Sequence, residues 1–204
     1  MSEYPKILIR GAESIITQID ENRITKHRQS KGYRVKQIDY KFTVHRTRSE
    51  AKLLTKLTEN GVAVPKLISV DERTNTLTLE FINGPQIKQI LNPENVTQIG
   101  NQIGELVAKL HNAEVVHADL TTSNLLLAQN RIYILDFGLS YMSRKSEDKA
   151  VDLHLLHQSL DSYHAPIAKV VMGAVLETYA THAENAVKTI ERFEIVEKRG
   201  RNKH

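Results

Sequence analysis

Cysteine is absent from the 204 residues. Its absence removes a disulfide framework, thiolate metal sites and thiol nucleophiles together. Long apolar runs are missing too. No stretch approaches the ~20 residues that span a bilayer. The opening Met1-Ser2-Glu3-Tyr4-Pro5-Lys6 has no apolar core of the kind a secretory leader carries. Neither an internal repeat nor a low-complexity linker interrupts the chain. Hydrophobic residues make up 40% and charged residues 25%, ordinary globular proportions that exclude disorder of the whole. The expectation is a soluble, cytoplasmic chain, with no membrane association, that builds one large domain or two small lobes.

The charge excess is small, 28 basic against 24 acidic residues for a net +4, but it is unevenly placed. Arg23, Lys26, Arg28, Lys31, Arg34 and Lys36 run without an acid among them. Lys198, Arg199, Arg201, Lys203 and His204 close the sequence. Clustered basic charge can meet phosphate on a nucleotide or on RNA. A solvated face and a frayed tail are the plainer alternative.

Apolar alternation predicts strands over Lys6–Arg10, Ser14–Ile19 and Arg23–His27, then over Leu67–Val70 and Leu77–Phe81. Between the two groups, Ala51, Leu54 and Leu57 recur at helical spacing and predict a helix over Asp39–Thr58, with Gly61 as its stop. After Gly84-Pro85 the character changes. Asn95–His111 is strongly amphipathic. Gly100 and Gly104 within it form a GxxxG, read as close helix packing rather than a membrane motif. Leu125–Ala128 and Ile132–Leu135 flank a turn and predict a hairpin. From Lys149 to about Phe193 the pattern is helical, in about three helices. The outline is α+β. A β-rich N-terminal lobe (1–83) meets a hinge near Asn83–Pro85, followed by a mainly helical C-terminal lobe (84–197) and a basic tail (198–204).

Two stretches carry chemistry. One is His117-Ala118-Asp119-Leu120-Thr121-Thr122-Ser123-Asn124; the other is Asp136-Phe137-Gly138, directly after an apolar strand. Phosphoryl transfer from ATP needs a carboxylate near the acceptor, oxygen ligands for magnesium and a cation on the phosphates. H-x-D-L-x-x-x-N followed by D-F-G supplies the first two. Asp119 can orient or deprotonate the acceptor. Asn124 and Asp136 can hold Mg2+ through oxygen, the donor this ion prefers.

Here the sequence resembles the protein-kinase superfamily. The resemblance implies a strand lysine on the phosphates of ATP, for which Lys26 stands first and Lys31 or Lys36 are alternatives. It implies a helix glutamate paired with that lysine, Glu50, and an aspartate that braces the catalytic loop, Asp152, beside His117. Further blocks narrow the resemblance: Arg10-Gly11-Ala12-Glu13-Ser14, Lys26-His27-Arg28 with Lys31-Gly32-Tyr33-Arg34, Arg46-Thr47-Arg48-Ser49-Glu50-Ala51, and Lys198-Arg199-Gly200-Arg201. With the catalytic loop they are similar to the small atypical Ser/Thr kinase/ATPase of the KEOPS complex (the Bud/PRPK type), from about Ile9 to the end.

That resemblance implies a reduced bilobal kinase fold using ATP and Mg2+. It also implies partnership with the threonylcarbamoyl-transferase subunit and other KEOPS subunits, and a role in making threonylcarbamoyladenosine in tRNA. Lys31, Arg34, Arg199 and Arg201 become candidate RNA or partner contacts.

The sequence also departs from the kinase pattern. There is no G-x-G-x-x-G; Gly11 alone sits in the turn, and the resemblance implies that the backbone of Ala12, Glu13 and Ser14 covers the nucleotide instead. Ala118 stands where H-R-D has its arginine, so the usual charge contact to a phosphorylated activation loop is missing. No A-P-E follows Gly138, and 13 residues separate it from Asp152. Such a segment is too short for the usual peptide platform and leaves ATP hydrolysis open. Competing readings are a RIO-like kinase, a small-molecule kinase and a nucleotide-sensing scaffold without turnover. His154 and His157, at i and i+3, have no evident third metal ligand and read as surface or packing residues.

Overall fold

The computed structural model describes residues 4–11, 14–29 and 36–201. Ala12, Glu13, Lys31 and Arg34 lie outside the described residues, as does the side chain of Arg201.

The first strands are β1 (Lys6–Arg10), β2 (Ser14–Gln18) and β3 (Arg23–Arg28). Asp20 closes the turn between β2 and β3 by accepting from the Asn22 N–H at 2.9 Å. Helix α1 (Lys36–Glu59) follows, then β4 (Leu67–Asp71) and β5 (Thr76–Glu80). The strands form one antiparallel sheet in the order β1-β2-β3-β5-β4.

Strand alternation decides what faces inward. On β5, Leu77 and Leu79 are buried. On β3 the same alternation turns Lys26 and Arg28 inward, and both are buried despite their charge. Helix α1 buries Ala51, Leu53, Leu54 and Leu57. It ends as expected at Gly61, whose φ of +70° is the left-handed conformation that glycine adopts freely. The Val62 N–H returns to the Leu57 carbonyl at 3.0 Å.

The chain then crosses to a helical half. Gly84 lies so close to the Leu127 carbonyl that a side chain there would collide with it, and the Leu127 N–H bonds Pro85 O at 3.0 Å. A short helix α2 (Ile87–Ile90) precedes α3 (Val96–Asn112). Three small pieces follow: β6 (Val115–Val116), the hairpin β7 (Leu125–Ala128) with β8 (Arg131–Ile134), and β9 (Tyr141–Met142), which pairs with β6.

The remainder is α4 (Ser146–His182) and α5 (Ala186–Arg201). α4 breaks at His164 (φ −138°, ψ 34°), two residues before Pro166, because proline's ring and missing N–H cannot continue the helical ladder. The expected three helical stretches are present as the two arms of α4, divided at His164, and α5. α5 extends past Phe193 and takes in Lys198–Arg201.

A single apolar cluster joins the two halves. Leu54, Leu57 and Leu77 belong to it from the sheet side, Ile103, Leu110 and Leu153 from the helices. Gly100 and Gly104 do what helix packing asks of them. A Cβ on Gly104 would stand 2.5 Å from the Val175 carbonyl oxygen and 2.9 Å from Thr178 Cβ, so α3 and α4 approach backbone to backbone.

Gly104→Val should therefore cost about 1–3 kcal/mol through overpacking. Gly173→Ala, at an open helical position with nothing within 4 Å, should gain about 0.5–1 kcal/mol from helix propensity. Urea unfolding checks both; equal midpoints for the two variants would refute this account of the helix pair.

Candidate active site

The loop between β6 and β7 is held from beneath. Asp152 on α4 accepts the His117 N–H at 2.6 Å and the Ala118 N–H at 2.8 Å, and is itself fully buried. These charge-assisted bonds hold Ala118 at φ +64°, a conformation that costs a non-glycine residue on the order of 1–2 kcal/mol. His117 staples the loop to the segment after β8. Its Nε2–H donates to Leu135 O at 2.8 Å, its Nδ1 accepts the Asp119 N–H at 3.3 Å, and its ring stands edge-on to Phe137. Ser140 Oγ donates to His117 O at 2.9 Å.

Those restraints set Asp119 and Asp136 around one cleft, with Asn124 bonded to Asp119. Asn124 Nδ2 donates to Asp119 O at 2.8 Å and to Asp119 Oδ2 at 3.0 Å. With its nitrogen so engaged, the Asn124 amide presents its oxygen. Asp136 sits at φ +60° and accepts the Gly138 N–H at 3.1 Å. Its carboxyl is still half exposed, and partial desolvation against the cleft wall would raise it. The Lys26 ammonium, by its charge and its hydrogen bond, and the Gly138 N–H together outweigh that, and hold it below the ordinary carboxylate value of 3.8.

Lys26 Nζ lies 2.7 Å from Glu50 Oε1 and 2.7 Å from Asp136 Oδ1. Lys26 is thus brought together with Glu50 and Asp136; Lys31, and the side chain of Lys36, lie outside the described residues. Glu50 is 2% exposed, and its second oxygen is taken by Arg28 Nη2. Arg28 stands out only in three dimensions. In the sequence it is one more member of a basic run, and its signal is the i+2 spacing from Lys26 on a strand, which puts both on one face.

The cleft encloses about 250 Å3 and is lined by Gly11, Ser14, Lys26, Arg28, Asp119, Asp136, Gly138 and Leu139. Gly11 and Ser14 thus bring the turn to the same cavity. A larger groove of about 770 Å3 lies between the start of α4 and α5. Within it Glu147 pairs with Arg192 at 3.8 Å, and none of the chemistry-bearing residues reaches it. His154 and His157 both bond Glu197 of α5, at 2.5 and 2.9 Å, and clamp the two helices together.

The family model described as the RIO domain matches residues 10–155, which include every residue of this cleft. The EKC/KEOPS complex subunit BUD32 of Encephalitozoon cuniculi is 41% identical over 76% of this chain and 77% of its own. The subunit of the same name from Yarrowia lipolytica is 31% identical over 100% of this chain and 94% of its own. The chain belongs to the RIO-domain family, on its BUD32 side. The RIO-like and KEOPS-type readings, set apart in the sequence, are therefore one.

A third relative is the probable bifunctional tRNA threonylcarbamoyladenosine biosynthesis protein of Methanobrevibacter smithii. It is 38% identical over 97% of this chain, and the chain spans only 37% of its length. Among solved structures, the Rio2 kinase–ADP/Mg2+–phosphoaspartate complex from Chaetomium thermophilum superposes with a TM-score of 0.64 at 13% identity, covering 97% of this chain and 72% of that one. WaaP in complex with acyl carrier protein gives 0.64 at 14%, covering 96% and 88%. At such identities the likeness is one of fold, here the kinase-like fold.

Beneath the loop of this RIO domain runs a buried polar chain. His111 Nε2–H donates to Asp152 at 3.3 Å, and His111 Nδ1 accepts from the Tyr179 hydroxyl at 2.9 Å. Burial pushes the His111 imidazole below its ordinary 6.5; Asp152 opposes the shift and Lys149 adds to it. Burial likewise lifts the Tyr179 phenol to about 12. His111 is therefore neutral in the fold but free to protonate once unfolded.

Between its depressed value and about 6.5 the unfolded chain binds more protons, so this contribution is full above pH 6.5 and is lost as the pH falls below it. The slope from this one group is at most about 1.4 kcal/mol per pH unit. Unfolding free energies between pH 7.5 and 5.5 should fall more steeply for the wild type than for His111→Gln; identical slopes would remove His111 from the account.

Proposed function

We propose that this chain is a Mg2+- and ATP-dependent phosphotransferase or ATPase that serves as a subunit of the KEOPS complex. The observation that carries the chemistry is the convergence of Asp119, Asp136 and Lys26 on one cleft, with Asn124 bonded to Asp119 and Lys26 set by buried Glu50. The donor set suits the cofactor. Asp136 and the Asn124 amide offer oxygen, which Mg2+ prefers, and Lys26 offers a cation to phosphate. Bound Mg-ATP would supply the transferable phosphoryl group.

The chain's own residues do the rest. Lys26 neutralises phosphate oxygens, and Glu50 keeps its ammonium aimed. Asp119 orients the acceptor hydroxyl and takes its proton, and Asn124 fixes the Asp119 carboxylate through its 3.0 Å bond. Asp152 and His117 act as supports, holding the backbone that carries Asp119. The cover formed by Gly11, Ala12, Glu13 and Ser14 belongs to the same reading.

Between Gly138 and α4 there is room for one two-residue strand, β9. This favours water, a Ser/Thr hydroxyl of the chain itself or one of a partner as acceptor, over an extended peptide.

The relatives' names support the setting: BUD32 is a KEOPS subunit, and the M. smithii protein is named for threonylcarbamoyladenosine biosynthesis in tRNA. On this reading the chain works in the cytoplasm beside the threonylcarbamoyl-transferase subunit and meets tRNA through the complex. Its lobes comprise residues 1–83 and 84–197. Lys31, Arg34, Arg199 and Arg201 are its candidate contacts to RNA or partner.

The test follows γ-labelled ATP with Mg2+, with and without tRNA. Wild type should release the label, Asp136→Ala should not, and Asp119→Asn should still bind ATP but be slowed on the order of 10²–10⁴-fold. Free phosphate marks an ATPase and protein-bound label a kinase. Equal release by wild type and Asp136→Ala would sink the site, and none from wild type under any condition would sink the enzyme.

A further inference from the structure

Arg28 has no role in the reading above, yet it is among the most expensively placed side chains in the molecule. It is 5% exposed. One guanidinium nitrogen is bonded to Glu50 Oε2, while Nε is buried with no hydrogen-bond partner among the described residues. A buried donor without a partner costs free energy, and such groups call for an explanation. Arg28 also lines the cleft and lies close to Gly138. A Cβ built on Gly138 would stand 3.2 Å from its Nη2 and 3.6 Å from its Nη1.

Position and charge agree on what this unpartnered Nε is for. On the sheet Lys26 is opposite Ile16, whereas Arg28 is opposite Ser14, where the turn begins. Arg28 therefore sits two residues, roughly 6–7 Å, further along β3 toward that turn. Two buried cations share the single charge of Glu50, and Lys26 borrows from Asp136 as well. If Asp136 turns to a metal, a positive excess remains that only an anion would balance.

We propose that Arg28 is a second phosphate-binding cation of this cleft. It is directed at the terminal phosphate, as Lys26 is at the inner ones, and it is held ready by Glu50. Guanidinium suits the task, since its fork can keep one edge on the carboxylate while another meets a phosphate oxygen.

The inference rests on the nucleotide reading of the same cleft, and equilibrium binding tests the two separately. Mg2+ with ADP and Mg2+ with a non-hydrolysable ATP analogue are titrated against the whole chain as wild type, Arg28→Met and Arg28→Lys. Loss of one hydrogen-bonded charge contact should weaken the analogue about 10- to 100-fold in Arg28→Met, with ADP changed by less than about twofold. Arg28→Lys, which keeps the charge beside Glu50 and loses the fork, should fall between; it carries the test alone if the methionine variant does not fold. Equal losses for both nucleotides would reduce Arg28 to a prop for Glu50 and overturn the proposal, as would no loss for either. A wild type that binds neither nucleotide would overturn the nucleotide reading, and the role of Arg28 with it.

Discussion

Everything in the cleft depends on one buried carboxylate. Glu50 comes from α1, and both cations it holds come from β3, so it ties the helix to the sheet beside their apolar contacts and aims Lys26 at Asp136. Buried ion pairs are poor stabilisers, because removing two charges from water costs about what their attraction returns. Breaking one by removing a partner is a different matter and typically costs about 3–5 kcal/mol, since a charge is then stranded. The pair therefore makes sense as a positioning device. It allows few alternative placements of α1 against β3, and that selectivity is what a phosphate site needs.

The floor of the cleft shows the same use of buried polarity. Ala118 and Asp136 both adopt left-handed backbone, which non-glycine residues avoid. The strain is tolerated because the surroundings over-determine it. Asp152 grips two amides of the loop, His117 joins that loop to Leu135 and Phe137, and His111 with Tyr179 extends the chain into the helical core. Asp119 and Asp136 are carried by this framework and owe their convergence to it.

The residues legible in the sequence are those whose chemistry or spacing is local. H-x-D-L-x-x-x-N and D-F-G lie within short windows, and the Gly61 helix stop and the Gly100/Gly104 packing follow from elementary backbone rules. Lys26 and Glu50 are legible through the kinase resemblance, which asks for a strand lysine followed by a helix glutamate. Arg28 and His111 leave no such trace. Their meaning comes from partners 22 and 41 residues away, and no periodicity encodes a contact across elements. The bend in α4 is an intermediate case. Pro166 marks it plainly, while the exact break, at His164 two residues earlier, is visible only in the backbone angles.

The alanine at position 118 now has a physical counterpart. A kinase with arginine there can wait for a phosphorylated segment to complete its site. This chain has neither the arginine nor a segment long enough to carry such a signal, since β9 and the start of α4 follow Gly138 almost at once. The geometry that such a signal would otherwise impose is built in from two sides, by Arg28 and Lys26 on Glu50 above the cleft and by Asp152 and His111 below it. A site assembled from buried contacts has little to gain from a local switch. On that ground, control of the proposed activity falls to whatever meets the mouth of the cleft, where Gly11, Asp136 and Leu139 are exposed.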